Sequence, residues 1–236
     1  MVEEILKKKL NKIDSLLRDQ KSLEAVLALK EIVREFPDSA YVYYFLGIAR
    51  MKCGLFALAK KSFKKADELD PKNPENMRNL GWAKIMLGEI EEGRSDLRNA
   101  INLDLTNSMI YLDLAKSFFD RLDFDEGFAW IDRAKNLDPN NKFIIDNYKF
   151  AKEMKEDFFK LSEVQRKKIK KDKLVPEMQQ ETHLFILKKT FADRGFKEEE
   201  MRELKDELGL SGLYKKMLIY KDNVAENETK EKAVMN

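Results

Sequence analysis

Three prolines set the length of the building block. Pro37 and Pro71 stand 34 residues apart, and Pro139 stands two such steps beyond Pro71. The residues in front of them keep the same register: Leu69-Asp70-Pro71, Leu103-Asp104-Leu105, Leu137-Asp138-Pro139. A fixed period of this size means stacked supersecondary units, each burying its apolar face against the next, so it decides the architecture before any local reading. It also favours binding over catalysis, because stacked units present extended surfaces.

Further columns fall into line at the same step. Large residues repeat as Tyr43, Met77, Tyr111, as Leu46, Leu80, Leu114, and as Phe63, Leu97, Ile131. Small ones repeat as Gly47, Gly81, Ala115, as Ala59, Gly93, Gly127, and as Ala66, Ala100, Ala134. Paired helices approach closely only where bulk is missing at their crossing, so the small columns predict crossings and the large ones the filling beside them. Gly54 and Gly88 fall where a first helix must end, since glycine accepts the left-handed conformation that closes a helix. Pro71 and Pro139 follow the second helices and block their continuation, whereas Leu105 gives the middle unit a weaker stop.

Tyr43-x-x-Leu46-Gly47, Ala59-x-x-x-Phe63 and Pro71 together resemble the pattern of the tetratricopeptide repeat family. Tyr43 stands where that family usually has Trp, and Arg50 where its second aromatic sits. The resemblance implies an all-α fold, a right-handed superhelix of helical hairpins, followed here by a C-terminal helical unit. The array is expected over 1–173. It comprises a divergent repeat at 6–39, with Ile13 where a small residue belongs, repeats at 40–73, 74–107 and 108–141, and a capping helix over 142–173. The stripe Ile144, Tyr148, Ala151, Met154, Phe158, Leu161 advances in steps of three and four, which is one helix face, and the same helix is expected to turn basic over 166–173. Residues 174–221 read as a smaller helical unit and 222–236 as a disordered tail.

Composition narrows the function classes. With 37% charged residues the helices can carry solvated outer faces, and a formal net charge of +2 predicts no dominant electrostatic partner. Cys53 is the only cysteine, so the chain has no internal disulfide framework and fits a reducing compartment. No apolar run reads as a signal peptide or reaches the ~18 residues of a membrane span. The expected location is the cytoplasm. His183, the only histidine, has no ligand cluster around it, and no phosphate-binding loop, nucleophile motif or acidic pair is present. No catalysis, cofactor or metal is expected.

The resemblance places the first helix of each repeat on the inner surface. The residues expected to form a partner-binding groove there are Tyr41, Tyr44, Ile48, Arg78, Asn79, Trp82, Met109, Leu112, Lys116 and Phe119. Family members that grip C-terminal carboxylates use Lys, Asn and Arg on this face. Only Asn79 matches, which argues against such a clamp. The set is aromatic and apolar, suited to the nonpolar face of a helix or an extended peptide. Tyr44 and Met51 serve equally well as packing between repeats, whereas Trp82 and Phe119 are the better contact residues because Leu80 and Tyr111 already occupy the packing columns.

The expected function is a non-catalytic scaffold or adaptor for a protein partner. The alternative is a regulator that binds nucleic acid through its basic C-terminal unit. Against it, the basic run 166–173 has no interleaved aromatic residue, and the turn at 204–211, which resembles a helix-turn-helix, carries Lys205 where a small buried residue is needed. The amphipathic stretches of 177–221 are expected to pack against the array, within the chain or in a dimer, the competing reading being an independent domain.

Overall fold

The computed structural model describes residues 2–173. The expected unit over 174–221, the tail over 222–236, His183 and the 204–211 turn lie outside the described residues. Among the described residues the secondary structure is entirely helical: α1 (Val2–Arg18), α2 (Ser22–Glu35), α3 (Ala40–Lys52), α4 (Phe56–Leu69), α5 (Pro74–Met86), α6 (Ile90–Leu103), α7 (Ser108–Phe119), α8 (Phe124–Leu137), α9 (Lys142–Lys160) and α10 (Glu163–Lys173). Helices α1 to α8 pair as four hairpins. The odd-numbered helices α1 to α9 touch one another in succession, forming one continuous layer, and each even-numbered helix from α2 to α8 packs between two of them. This is the expected all-α superhelical stack.

The turns show how the period is written into the backbone. Inside each hairpin the chain reverses on one residue of positive φ: Gln20 at 60°, Gly54 at 73°, Gly88 at 84° and Leu122 at 62°. These four stand one repeat apart. Each turn is closed by the same bond, from the N–H of Lys21, Leu55, Glu89 or Asp123 to the carbonyl of Leu16, Arg50, Lys84 or Phe118, at 2.8 to 3.1 Å. That six-to-one bond satisfies a carbonyl the helix end would otherwise leave open. The two glycines enter this geometry freely. Gln20 and Leu122 enter it at a steric cost, which for Leu122 is offset by burial.

Between hairpins a second device recurs. Asn73, Asn107 and Asn141 cap the following helix, each side-chain oxygen accepting a backbone N–H. The distances are 3.0 Å to Asn76, 3.2 Å to Met109 and 3.1 Å to Phe143.

The large columns form the core. Phe63, Leu97 and Ile131 are completely enclosed, and Leu46, Leu80 and Leu114 are buried beside them. The small columns meet their neighbours in two ways. A Cβ on Gly47 would come within 2.3 Å of the Phe63 ring, and one on Gly127 within 2.3 Å of the Phe119 ring. A Cβ on Gly81 would come within 2.7 Å of the Gly93 carbonyl oxygen, so here two backbones touch. Arg50 ties its hairpin together through Ser62 at 2.6 Å, and one step later Lys84 meets Asp96 at 2.5 Å.

The structure divides what the sequence suggested was one helix over 142–173. Ile144, Ala151 and Phe158 are buried along α9, but Leu161 is extended, at ψ 151°, and a new helix starts at Glu163. The cause is a capping box: the Ser162 N–H donates to Gln165 Oε1 at 2.9 Å, and the Gln165 N–H returns a bond to Ser162 Oγ at 3.4 Å. The basic run therefore belongs to α10. There Lys167 pairs with Glu163 at 2.7 Å, and the Arg166 guanidinium lies 5.3 Å from the Phe159 ring centre.

Candidate functional site

The layer formed by α3, α5 and α7 presents the residues between the core columns. Tyr41 is 64% exposed, and Tyr44, Ile48, Arg78, Asn79, Trp82, Met109 and Lys116 are half-buried. Leu112 and Phe119 are not on this open surface. Both are buried in the core. Phe119 covers Gly127 and meets Phe128 edge-to-face at 5.2 Å, so the missing side chain at Gly127 draws the ring inward.

The middle of this face is ionic, which departs from the apolar groove expected of it. Arg78 Nε donates to Asp113 Oδ2 at 2.6 Å, and Arg78 Nη1 lies 3.2 Å from Glu75 Oε2. The other Glu75 oxygen accepts from Asn107 Nδ2 at 2.6 Å. Lys116 Nζ lies 3.6 Å from Asp113 Oδ1 and 4.5 Å from the Trp82 ring centre. Burial by itself lowers the Arg78 pKa, but the Asp113 and Glu75 carboxylates outweigh it and hold the guanidinium above its usual value. Asp113, with a side chain only 10% exposed, was missed by sequence reasoning. Its signal was an opposite charge 35 residues beyond Arg78, one repeat plus one residue.

One repeat earlier, the same register holds a neutral pair. Asn79 Nδ2 sits 3.5 Å from the Tyr44 hydroxyl and donates to the Glu75 carbonyl at 2.7 Å. Burial raises the Tyr44 pKa, and the Glu75 carboxylate adds to the effect, so the phenol stays protonated. Beside this pair lies a cleft of about 240 Å³, where the starts of α3 and α5 meet the end of α4. Tyr41, Tyr44, Asp70, Asn73, Glu75 and Asn76 line it together with Ala40 and Ala66.

Asn76 is out of pattern. The residues at its repeat position in α3, α7 and α9 are Val42, Ile110 and Ile144, all completely buried, whereas the first unit has the exposed Lys8. Asn76 is itself 2% exposed. Its Nδ2 donates to the Phe63 carbonyl at 2.9 Å, and its Oδ1 is buried without a hydrogen-bond partner.

Among the described residues, no group of three or more His, Cys, Asp or Glu side chains is arranged to hold a metal ion. No described helix is long and apolar enough to cross a membrane.

Comparison with known proteins places this geometry. Residues 40–73 match the sequence model of the tetratricopeptide repeat. Over 76 residues, 32% of the chain, it is 30% identical to "Essential for maintenance of the cell wall protein 1" of Saccharomyces cerevisiae; the match spans 8% of that protein. Among solved structures, it resembles TTC0263, a thermophilic TPR protein of Thermus thermophilus. The TM-score is 0.56 at 19% identity, covering 59% of this chain and 77% of that one. It also resembles a mutant of the Thermobaculum terrenum O-GlcNAc transferase, with a TM-score of 0.54 at 22% identity. That likeness covers 58% of this chain and 27% of the transferase. At these identities the likeness is one of fold.

Proposed function

We propose that this chain, which is built of tetratricopeptide repeats, is a non-catalytic scaffold that holds a protein partner along the layer of α3, α5 and α7. The observation that carries the reading is a row of half-exposed side chains anchored across repeat boundaries. Arg78 is fixed by Asp113, Glu75 by Asn107, and the Trp82 ring lies beneath Lys116. Fixing side chains before binding lowers the ordering cost of association, and such rows suit a protein ligand rather than a small molecule. Tyr41, Tyr44, Ile48, Asn79, Trp82 and Met109 are the proposed contacts, with Arg78 and Lys116 as the polar ones.

Trp82→Ala tests the reading. Truncating a central aromatic anchor costs about 2 kcal/mol or more of binding. Capture of the native partner from cell extract should fall roughly 30-fold at that cost, with helical content unchanged. Unchanged capture by a folded variant overturns the assignment. Titration with salt separates this reading from nucleic-acid binding, since contacts to many phosphates give a steep salt dependence and the few ion pairs this face can offer a protein partner give a shallower one.

A further inference from the structure

We infer that the cleft between the second hairpin (α3, α4) and the third (α5, α6) receives a cationic side chain, lysine or arginine, of the protein partner. The inference rests on the scaffold reading and adds the chemistry of its anchor.

Among the described residues, the lining contains acceptors and rings but no cation. Asp70 and Glu75 are its charged residues. The Asp70 side chain takes a single bond, from the Asn73 amide at 3.4 Å, and no lysine or arginine of the described residues pairs with it. Glu75 already serves Arg78 and Asn107, yet a carboxylate accepts more bonds than those two. Arg78 and Lys116 both lean toward Asp113, which leaves Asp70 as the uncompensated end of the row. Tyr41 and Tyr44 supply two phenol rings, whose faces attract an ammonium or guanidinium.

Asn76 is the second, independent sign. The fold places a branched aliphatic residue at this position in α3, α7 and α9 and gains nothing from an amide whose carbonyl stays unpaired. With its Nδ2 committed to the Phe63 carbonyl, the amide leaves its negative end buried behind the cleft lining. An anionic ligand would be repelled by this lining. An apolar one would strip water from the carboxylates and leave them unpaired. A cation on an alkyl stem satisfies the acceptors, and the stem lies against Ala40, Ala66 and the rings.

The test uses the full chain, labelled with nitrogen-15, and three small probes: Nα-acetyl-lysine methylamide, Nα-acetyl-arginine methylamide, and the lysine probe with its ε-amine acetylated. The expected result is saturable amide shifts confined to Tyr41, Tyr44, Glu75 and Asn76 with the two cations, and at least tenfold weaker binding of the neutral probe. Asp70→Asn combined with Glu75→Gln should weaken the cations at least tenfold. Tyr41→Ala, at an exposed position, should weaken them without touching the fold. Absence of saturable shifts, or equal binding of the neutral probe, overturns the inference. Partner capture separates the two proposals. Capture lost with Trp82→Ala but kept with the Asp70/Glu75 pair overturns the cleft's role and leaves the scaffold standing. Cation binding at the cleft with capture indifferent to Trp82→Ala supports the cleft and overturns the scaffold face.

Discussion

The junction between the second and third hairpins and the junction between the third and fourth (α7, α8) occupy the same register one repeat apart, and they are built from different chemistry. At the first, Tyr44 faces Asn79 at 3.5 Å. At the second, Arg78 meets Asp113 at 2.6 Å. At the first, the buried position behind the pair holds Asn76 with an unpaired carbonyl; at the second it holds Ile110, completely enclosed. The hairpin turns and asparagine caps are alike at both. The period thus governs backbone closure and core volume, while the polar positions between the columns are free to differ. One junction has closed on itself with an ion pair. The other keeps acceptors that the fold does not use.

Exchanging residues between the junctions should break this contrast most severely in one direction. Ile110→Asn places the first junction's amide in the second, where it loses aliphatic burial and gains an unpaired carbonyl. The expected loss is about 4 kcal/mol, read by chemical denaturation. A loss below roughly 1 kcal/mol would mean that the second junction tolerates polarity as the first does. Asp113→Ala should cost less, about 2 kcal/mol, because Arg78 is partly exposed and keeps Glu75 as a partner. The reverse exchange, Asn76→Ile, has the opposite sign. Filling the aliphatic column and removing the unpaired carbonyl should stabilise the chain by about 1 kcal/mol, despite the lost bond to Phe63. A clear destabilisation would show that the amide is structural. The smallest effect concerns what both junctions share. Gln20→Gly should raise stability by about 0.5 kcal/mol, as relief of the left-handed strain exceeds the entropy glycine adds to the unfolded chain. Leu122→Gly, at the same turn position but 5% exposed, should instead destabilise through lost burial.

The parts legible in the sequence are those that recur. Gly54 and Gly88 marked the turn, and counting one repeat either way from them reaches Gln20 and Leu122, whose residue types alone give no hint of positive φ. The small columns were readable as crossings, but which neighbour fills them was not. Gly47 and Gly127 receive rings and Gly81 receives backbone, because each filling depends on how its own hairpin packs. Phe119 shows the consequence: its position in the repeat suggested contact with a partner, and its packing over Gly127 put it in the core. The ionic row is not legible in the sequence because Arg78 and Asp113 lie far apart in it and meet only once the hairpins stack. The break between α9 and α10 is written in Ser162-Glu163-Val164-Gln165, a capping signal that the continuing helical stripe masks.

Double-mutant cycles run on Tyr44 with Asn79 and on Arg78 with Asp113 compare the two junctions most directly. Each residue is replaced by alanine singly and together, and the coupling is taken from unfolding free energies. The account predicts a coupling of about 2 kcal/mol for the charged pair and no more than about 0.5 kcal/mol for the neutral one. Equal couplings would contradict it, since they would mean that both junctions are locked alike and that the first has no unused bonding capacity to offer a partner.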